Sequence, residues 1–116
     1  YRRQFASLLA QASGFAGGEP GRVLVLSIPD WAVTPYAAGR DRAAIAAAID
    51  RFNAINREES RRLGARYVDV PPVSREAERD ASLLAPDGLH PSGRMYARWV
   101  ELALPEALAA IGRPAR

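Results

Sequence analysis

Cysteine and lysine are both absent from this sequence of 116 residues, and histidine and methionine each occur once. The lack of cysteine excludes disulfide bonds, a thiol nucleophile and thiolate metal sites. No apolar run approaches the roughly 20 residues that are needed to cross a bilayer, so we predict no membrane span. The chain begins with Tyr1 instead of methionine, and we expect that an upstream part of the protein is missing.

The charge pattern indicates whether the arginines bind nucleic acid or form a solvated surface. All 16 basic residues are arginines, and 13 acidic residues leave a net charge of +3. The arginines are spread along the chain, and two pairs at helical spacing, Glu58 with Arg62 and Arg98 with Glu101, are predicted to form ion pairs. Because no basic cluster alternates with aromatic residues, we predict a solvated surface and no nucleic-acid partner. An arginine-driven nucleic-acid binder stays open as the weakest alternative.

Hydrophobic periodicity and turn residues predict the order helix, strand, helix, strand, helix. In chain order we predict a helix at 1–11, a strand at 22–28, a helix at 42–63, a strand at 66–70, an irregular or briefly helical stretch at 73–89, and a last helix. Asp41 and Ser92 are suitable N-caps for the second and third helices, and Gly64 is a natural stop for the second. Both strands are short apolar runs, which are typical of strands buried on both faces.

The last helix is predicted to bury one long apolar side. That side comprises Met95, Tyr96, Trp99, Val100, Leu102, Leu104, Leu108 and Ile111. Pro105 lies within the helix and is predicted to kink it or split it in two. Gly112 and Pro114 are predicted to end it.

Two buried strands joined by a long helix predict a parallel pair with a right-handed crossover. Two parallel strands are too few for a stable sheet. We therefore predict an α/β fold in which residues 1–116 form the C-terminal part of a single three-layer α/β/α domain. The N-terminal half of that domain is expected upstream of this chain.

His90 is the only histidine, and Asp87 lies three residues before it across a turn that contains Gly88. Pro91 favours an extended backbone at His90, because a residue before proline is pushed out of the helical region. An aspartate that accepts a hydrogen bond from one ring nitrogen fixes the tautomer and stabilises the imidazolium ion. From the residues alone, a catalytic pair and a structural histidine are equally well supported.

The hexad Asp-Gly-Leu-His-Pro-Ser at 87–92 resembles the last motif of the SGNH (GDSL-type) hydrolase family. The segments at 23–31, 34–36, 66–71 and 82–86 also resemble that family, so the similarity covers nearly the whole chain. The resemblance implies a flavodoxin-like domain and a serine-type esterase with a small-molecule ester as substrate. It further implies that His90 acts as general base and then as general acid, that Asp87 orients it, and that no cofactor or metal takes part.

The family's nucleophilic serine lies in a Gly-Asp-Ser element, and its oxyanion hole uses a Gly-x-Asn-Asp element. Neither element occurs in this sequence. We therefore expect the nucleophile and the oxyanion hole in the missing N-terminal segment, and we expect the isolated chain to be inactive. The alternative is a catalytically inactive fragment or an interaction half-domain that needs its missing part.

Other candidate residues have weaker support. Trp31 and Tyr36 follow a strand end and either line an acyl pocket or pack over the sheet edge. Ser27 ends a strand but lacks the glycines of a nucleophile elbow, and it is not favoured as the nucleophile. Asp30 is predicted to make a turn, and Asp69 to meet a loop backbone or an arginine. One histidine, no thiols and no clustered carboxylates give little support for a metal site.

Overall fold

Two parallel strands form the sheet of the structure, which is a computed structural model that describes residues 1–112. The helices are α1 (Arg2–Phe15), α2 (Arg42–Leu63), α3 (Pro71–Ser74) and α4 (Gly93–Ala110), and the strands are β1 (Leu24–Leu26) and β2 (Arg66–Val68). Short 3-10 turns lie at Pro20–Arg22, Trp31–Val33, Pro35–Ala37, Arg75–Glu78 and Ala81–Leu83. This arrangement confirms the α/β class, whereas the three-layer arrangement stays a prediction.

β1 and β2 pair directly in parallel, and the long helix α2 connects them along the chain. This pairing confirms the predicted parallel pair. Both strands are shorter than predicted. The first is shorter because Arg22 belongs to a 3-10 turn and the backbone of Ile28 is bound by a helix side chain. Burial of β1 on both faces is wrong, since Leu26 is 43% exposed. Within residues 1–112, β2 is the one strand that pairs with β1.

Both ends of α2 are determined by local residues. The Asp41 carboxylate accepts a hydrogen bond from the backbone N–H of Ala44 at 2.9 Å, which confirms the predicted N-cap. Gly64 ends the helix with φ +80°, a left-handed conformation that glycine adopts without steric cost. The carbonyl of Ser60 then accepts from Ala65 N–H at 2.9 Å.

α1 packs against α2 and runs to Phe15, four residues beyond the predicted end. Glu59 is buried in α2 and bonds to Arg2 of α1 at 2.7 Å and to Arg62 at 2.6 Å. Glu58 pairs with Arg2. The predicted Glu58–Arg62 pair is therefore wrong, because Arg62 forms its ion pair with the buried carboxylate of Glu59.

α4 covers the strands with Met95 and Trp99, which pack with Val68, Val70 and Leu83 in the core. Ser92 caps the helix and accepts from Met95 N–H at 3.3 Å, as predicted. The proposed split at Pro105 is wrong, because α4 continues through this residue to Ala110. Pro114 lies outside the described residues.

The predicted apolar side of α4 is only partly buried. Tyr96, Val100, Leu102, Leu104 and Ile111 are all at least 40% exposed, so the prediction is wrong for these five. Val100, Leu104 and Ile111 follow Tyr96 at helical spacing, and together they form one flank of α4 that residues 1–112 leave largely uncovered. Arg98 bonds to both carboxylate oxygens of Glu76 in place of the predicted Glu101.

Candidate active site

A tight loop between the last 3-10 turn and α4 carries the two residues that the sequence singled out. Ala85 N–H donates to His90 O at 2.8 Å, and Gly88 N–H donates to Ala85 O at 3.0 Å. Ser92 N–H then donates to Leu83 O at 2.9 Å, where the loop meets the helix. These backbone bonds close the loop and place Asp87 and His90 side by side.

The side chains of Asp87 and His90 are in contact. Asp87 Oδ2 lies 2.5 Å from His90 Nδ1, and Asp87 Oδ1 accepts from the backbone N–H groups of Leu89 and His90, both at 3.0 Å. The bond to the His90 ring, followed by the two backbone bonds, lowers the pKa of Asp87 from 3.8 to about 2. The carboxylate is therefore ionised throughout the neutral range.

This geometry suits a histidine that moves a proton. A carboxylate bound at Nδ1 favours the tautomer with the proton on that nitrogen, which leaves Nε2 free to accept one. The His90 side chain is 70% exposed, so a reacting group from outside the loop can reach the ring. The pair can thus work as a general base with its own orienting carboxylate.

An apolar cleft of about 310 Å³ adjoins the ring. It is lined by Ile28, Pro29, Trp31, Tyr36, Leu89, His90 and Pro91. The rings of Trp31 and Tyr36 meet edge to face at 6.0 Å between centroids, and the Arg40 guanidinium lies over both. The structure therefore brings Trp31 and Tyr36 to the cleft beside His90.

Buried polar contacts hold the wall of this cleft. Asp30 is 3% exposed, accepts from Ala32 N–H at 3.0 Å and pairs with Arg75 at 2.8 Å. Asp30 therefore makes the predicted turn and also binds Arg75, which was not predicted from the sequence. The amide of Asn53 binds the backbone of Ile28 at 2.8 Å through both its oxygen and its nitrogen. No role was predicted from the sequence for Asn53 or Arg75. Asn53 lies four positions after Ile49, on the same buried side of α2, and a polar residue at such a position indicates a buried hydrogen bond.

Ser27 and Ser92, the two serines nearest the strand end and the Asp87–His90 loop, make structural contacts. Ser27 is buried, and its Oγ accepts from Val70 N–H at 2.8 Å. Ser92 Oγ donates to Ser82 O at 2.7 Å besides capping α4. Asp69, next to Ser27, pairs with Arg57 at 3.0 Å, which confirms its predicted contact with an arginine. Within residues 1–112, the cleft beside His90 is lined by no serine.

Two kinds of feature are absent from residues 1–112. No three side chains of histidine, cysteine, aspartate or glutamate come together as a metal site would require. None of the helices in this range has the length and apolar character to cross a bilayer.

Comparison with curated proteins and with solved structures gives no match. Residues 1–98 match the model of the GDSL-like lipase/acylhydrolase family. The match includes both strands, the cleft and the Asp87–His90 loop. This family match agrees with the α/β fold and with the resemblance of the hexad at 87–92 to a hydrolase motif. The chain therefore belongs to the GDSL-like lipase/acylhydrolase family of hydrolases.

Proposed function

We propose that this protein is a serine-type carboxylic ester hydrolase in which Asp87 and His90 are the acid and base of a catalytic triad. The observation that carries the proposal is the 2.5 Å contact between Asp87 Oδ2 and His90 Nδ1 beside an apolar cleft. The cleft suits the apolar part of an ester, and Trp31 and Tyr36 are proposed to contact it. Membership of an acylhydrolase family agrees with this chemistry.

The proposed reaction passes through an acyl-enzyme. A serine hydroxyl attacks the ester carbonyl while His90 Nε2 takes its proton, and Asp87 stabilises the resulting imidazolium ion. The C–O bond to the alcohol breaks as His90 returns the proton to the leaving oxygen. Water then attacks the acyl-serine by the same steps, and the carboxylic acid is released. The proposal includes no cofactor and no metal.

We propose that an upstream segment of the same protein supplies the serine and the oxyanion donors. Three observations support this arrangement. The described cleft has no serine, β1 pairs with one strand only among residues 1–112, and one flank of α4 is apolar and exposed. The 116-residue chain is then the C-terminal part of one domain and is inactive by itself.

A non-catalytic half-domain is the second candidate, and the absence of a serine from the cleft, among residues 1–112, favours it. A serine-directed fluorophosphonate probe tests the isolated chain. We expect no labelling of the 116 residues, because Ser92 caps a helix and Ser27 lies buried. Labelling would contradict an upstream nucleophile and would also exclude a non-catalytic chain.

The triad roles are tested in the protein as it is expressed from its gene. His90→Gln is expected to lower kcat on a short-chain nitrophenyl ester by several orders of magnitude, and Asp87→Asn by about 10⁴-fold or somewhat less. Glu101→Gln, an exposed change on α4, is the matched control and should keep full activity. Full activity of His90→Gln would overturn the proposal, whereas loss in both triad variants but not in the control supports it.

A further inference from the structure

The Asp87–His90 loop rests on the segment Thr34–Ala37. The backbone N–H of Tyr36 donates to Gly88 O at 3.2 Å. Gly88 has φ +69°, and a Cβ added to it would lie 3.3 Å from Pro35 Cβ. The backbone between the two proposed triad residues is thus bonded to Tyr36 and lies beside Pro35, and a side chain at Gly88 would press on Pro35.

The supporting segment is itself anchored to the rest of the domain. Thr34 is buried, and its Oγ1 donates to Trp31 O at 2.7 Å. The carbonyl of Thr34 accepts from the Arg42 side chain of α2 at 3.3 Å. Asp30, just before this segment, is held by Arg75. Pro35 therefore has a defined place relative to α2 and to the cleft.

The contact matters because the bonds between Asp87 and His90 are local. Residues three apart in one loop move together, so the carboxylate can stay on the ring while the whole loop shifts. The position of the His90 ring over the cleft depends instead on contacts with other segments, and a displacement of about 1 Å can cost about 100-fold in rate.

We propose that Gly88 and Pro35 are positioning residues, and that their contact places His90 relative to the cleft. The inference rests on the proposed function for its catalytic consequence. The structural part of the inference does not depend on the proposed function. The His90 ring is expected to move when the contact with Pro35 is disturbed, whether or not the protein hydrolyses an ester. Neither residue touches the reacting atoms.

The first test compares Gly88→Ala with Gly39→Ala in the protein as it is expressed from its gene. Gly39 has nearly the same φ, +76°, but no atom lies within 4 Å of its added Cβ. Both variants therefore strain the backbone alike, and only Gly88→Ala presses on Pro35. The readouts are kcat and KM on a nitrophenyl ester and the NMR shifts of the His90 ring, identified by their absence from the His90→Gln spectrum.

Gly88→Ala is expected to lower kcat by about 10- to 100-fold with little change in KM, and to shift the His90 ring signals. Gly39→Ala is expected to change kcat by less than about twofold and to leave those signals in place. Equal effects of the two variants would overturn the proposal, because backbone strain alone would then explain them. Unchanged His90 signals in Gly88→Ala would also overturn it.

A second pair of variants protects the test against misfolding of Gly88→Ala. Pro35→Gly removes the exposed ring that faces Gly88, and Pro20→Gly removes a proline from the same position of a 3-10 turn before β1. Pro35→Gly should shift the His90 signals, and Pro20→Gly should not. No shift in Pro35→Gly would overturn the proposal. Full activity of His90→Gln would instead refute the proposed function and leave this readout valid.

Discussion

The side-chain amide of Asn53 binds both backbone polar groups of Ile28. Its Oδ1 accepts from Ile28 N–H and its Nδ2 donates to Ile28 O, each at 2.8 Å. Asn53 is 7% exposed on α2, and Ile28 lies just beyond β1, where it forms part of the cleft wall. The amide thus takes the place of a neighbouring strand at the point where β1 ends.

Replacing this amide should destabilise the domain. Asn53→Ala leaves the N–H and C=O of Ile28 without their partner, and we expect the free energy of unfolding to fall by about 2 kcal/mol. Urea unfolding of the protein as it is expressed from its gene measures the change. Arg51→Ala, on the exposed side of the same helix, is the control and should stay within about 0.5 kcal/mol. Similar losses in both variants would contradict a specific role for the amide.

The lowered pKa of Asp87 predicts a pH-dependent contribution to stability. Its folded pKa, about 2, lies below the ordinary value of 3.8, so the contribution is fully present above about pH 4. It is lost as the pH falls through 2, because the carboxylate becomes protonated. The difference in Tm between the wild type and Asp87→Asn should therefore shrink between pH 4 and pH 2. A difference that stays constant over this range would contradict the lowered pKa.

The aromatic pair at the cleft predicts a preference for longer acyl groups. Trp31→Ala removes one wall of a cleft of about 310 Å³. A hexanoyl group has four more methylenes than an acetyl group, and each buried methylene contributes about 0.8 kcal/mol. If Trp31 covers about two of the four, the ratio of kcat/KM for hexanoyl over acetyl esters should fall by about tenfold. Phe15→Ala, which removes a 91% exposed aromatic ring of α1, is the control. An unchanged ratio in Trp31→Ala would show that the acyl group binds elsewhere.

The exposed flank of α4 predicts a difference between the isolated chain and the longer protein. Val100 is 60% exposed, so Val100→Gln should change the stability of the 116-residue chain by no more than about 0.5 kcal/mol. If an upstream segment covers this flank, the same change should cost about 2 kcal/mol in the longer protein. Glu101→Gln, at the next position of α4, is the matched comparison and should have a small effect in both forms. Equal small effects of Val100→Gln in both forms would argue against cover by an upstream segment.

Features that depend on neighbours in the chain were predictable from the sequence. The ends of α2 follow from Asp41 and Gly64, because capping involves atoms no more than a few residues apart. The contact of Asp87 with His90 is equally local, since one short loop joins them. The parallel pair followed from two apolar runs joined by a long helix. The proposed triad roles came from the resemblance to a family and not from any spacing.

Tertiary structure decided the features that join distant parts of the chain. Asn53 contacts Ile28 across 25 positions, and Arg75 contacts Asp30 across 45. No local pattern specifies such pairs, because the partner of a buried polar group depends on which segments the fold brings together. Burial along α4 has the same cause. Periodicity identifies the apolar residues of a helix, but only the packing of other elements determines that Trp99 is covered and Val100 is exposed.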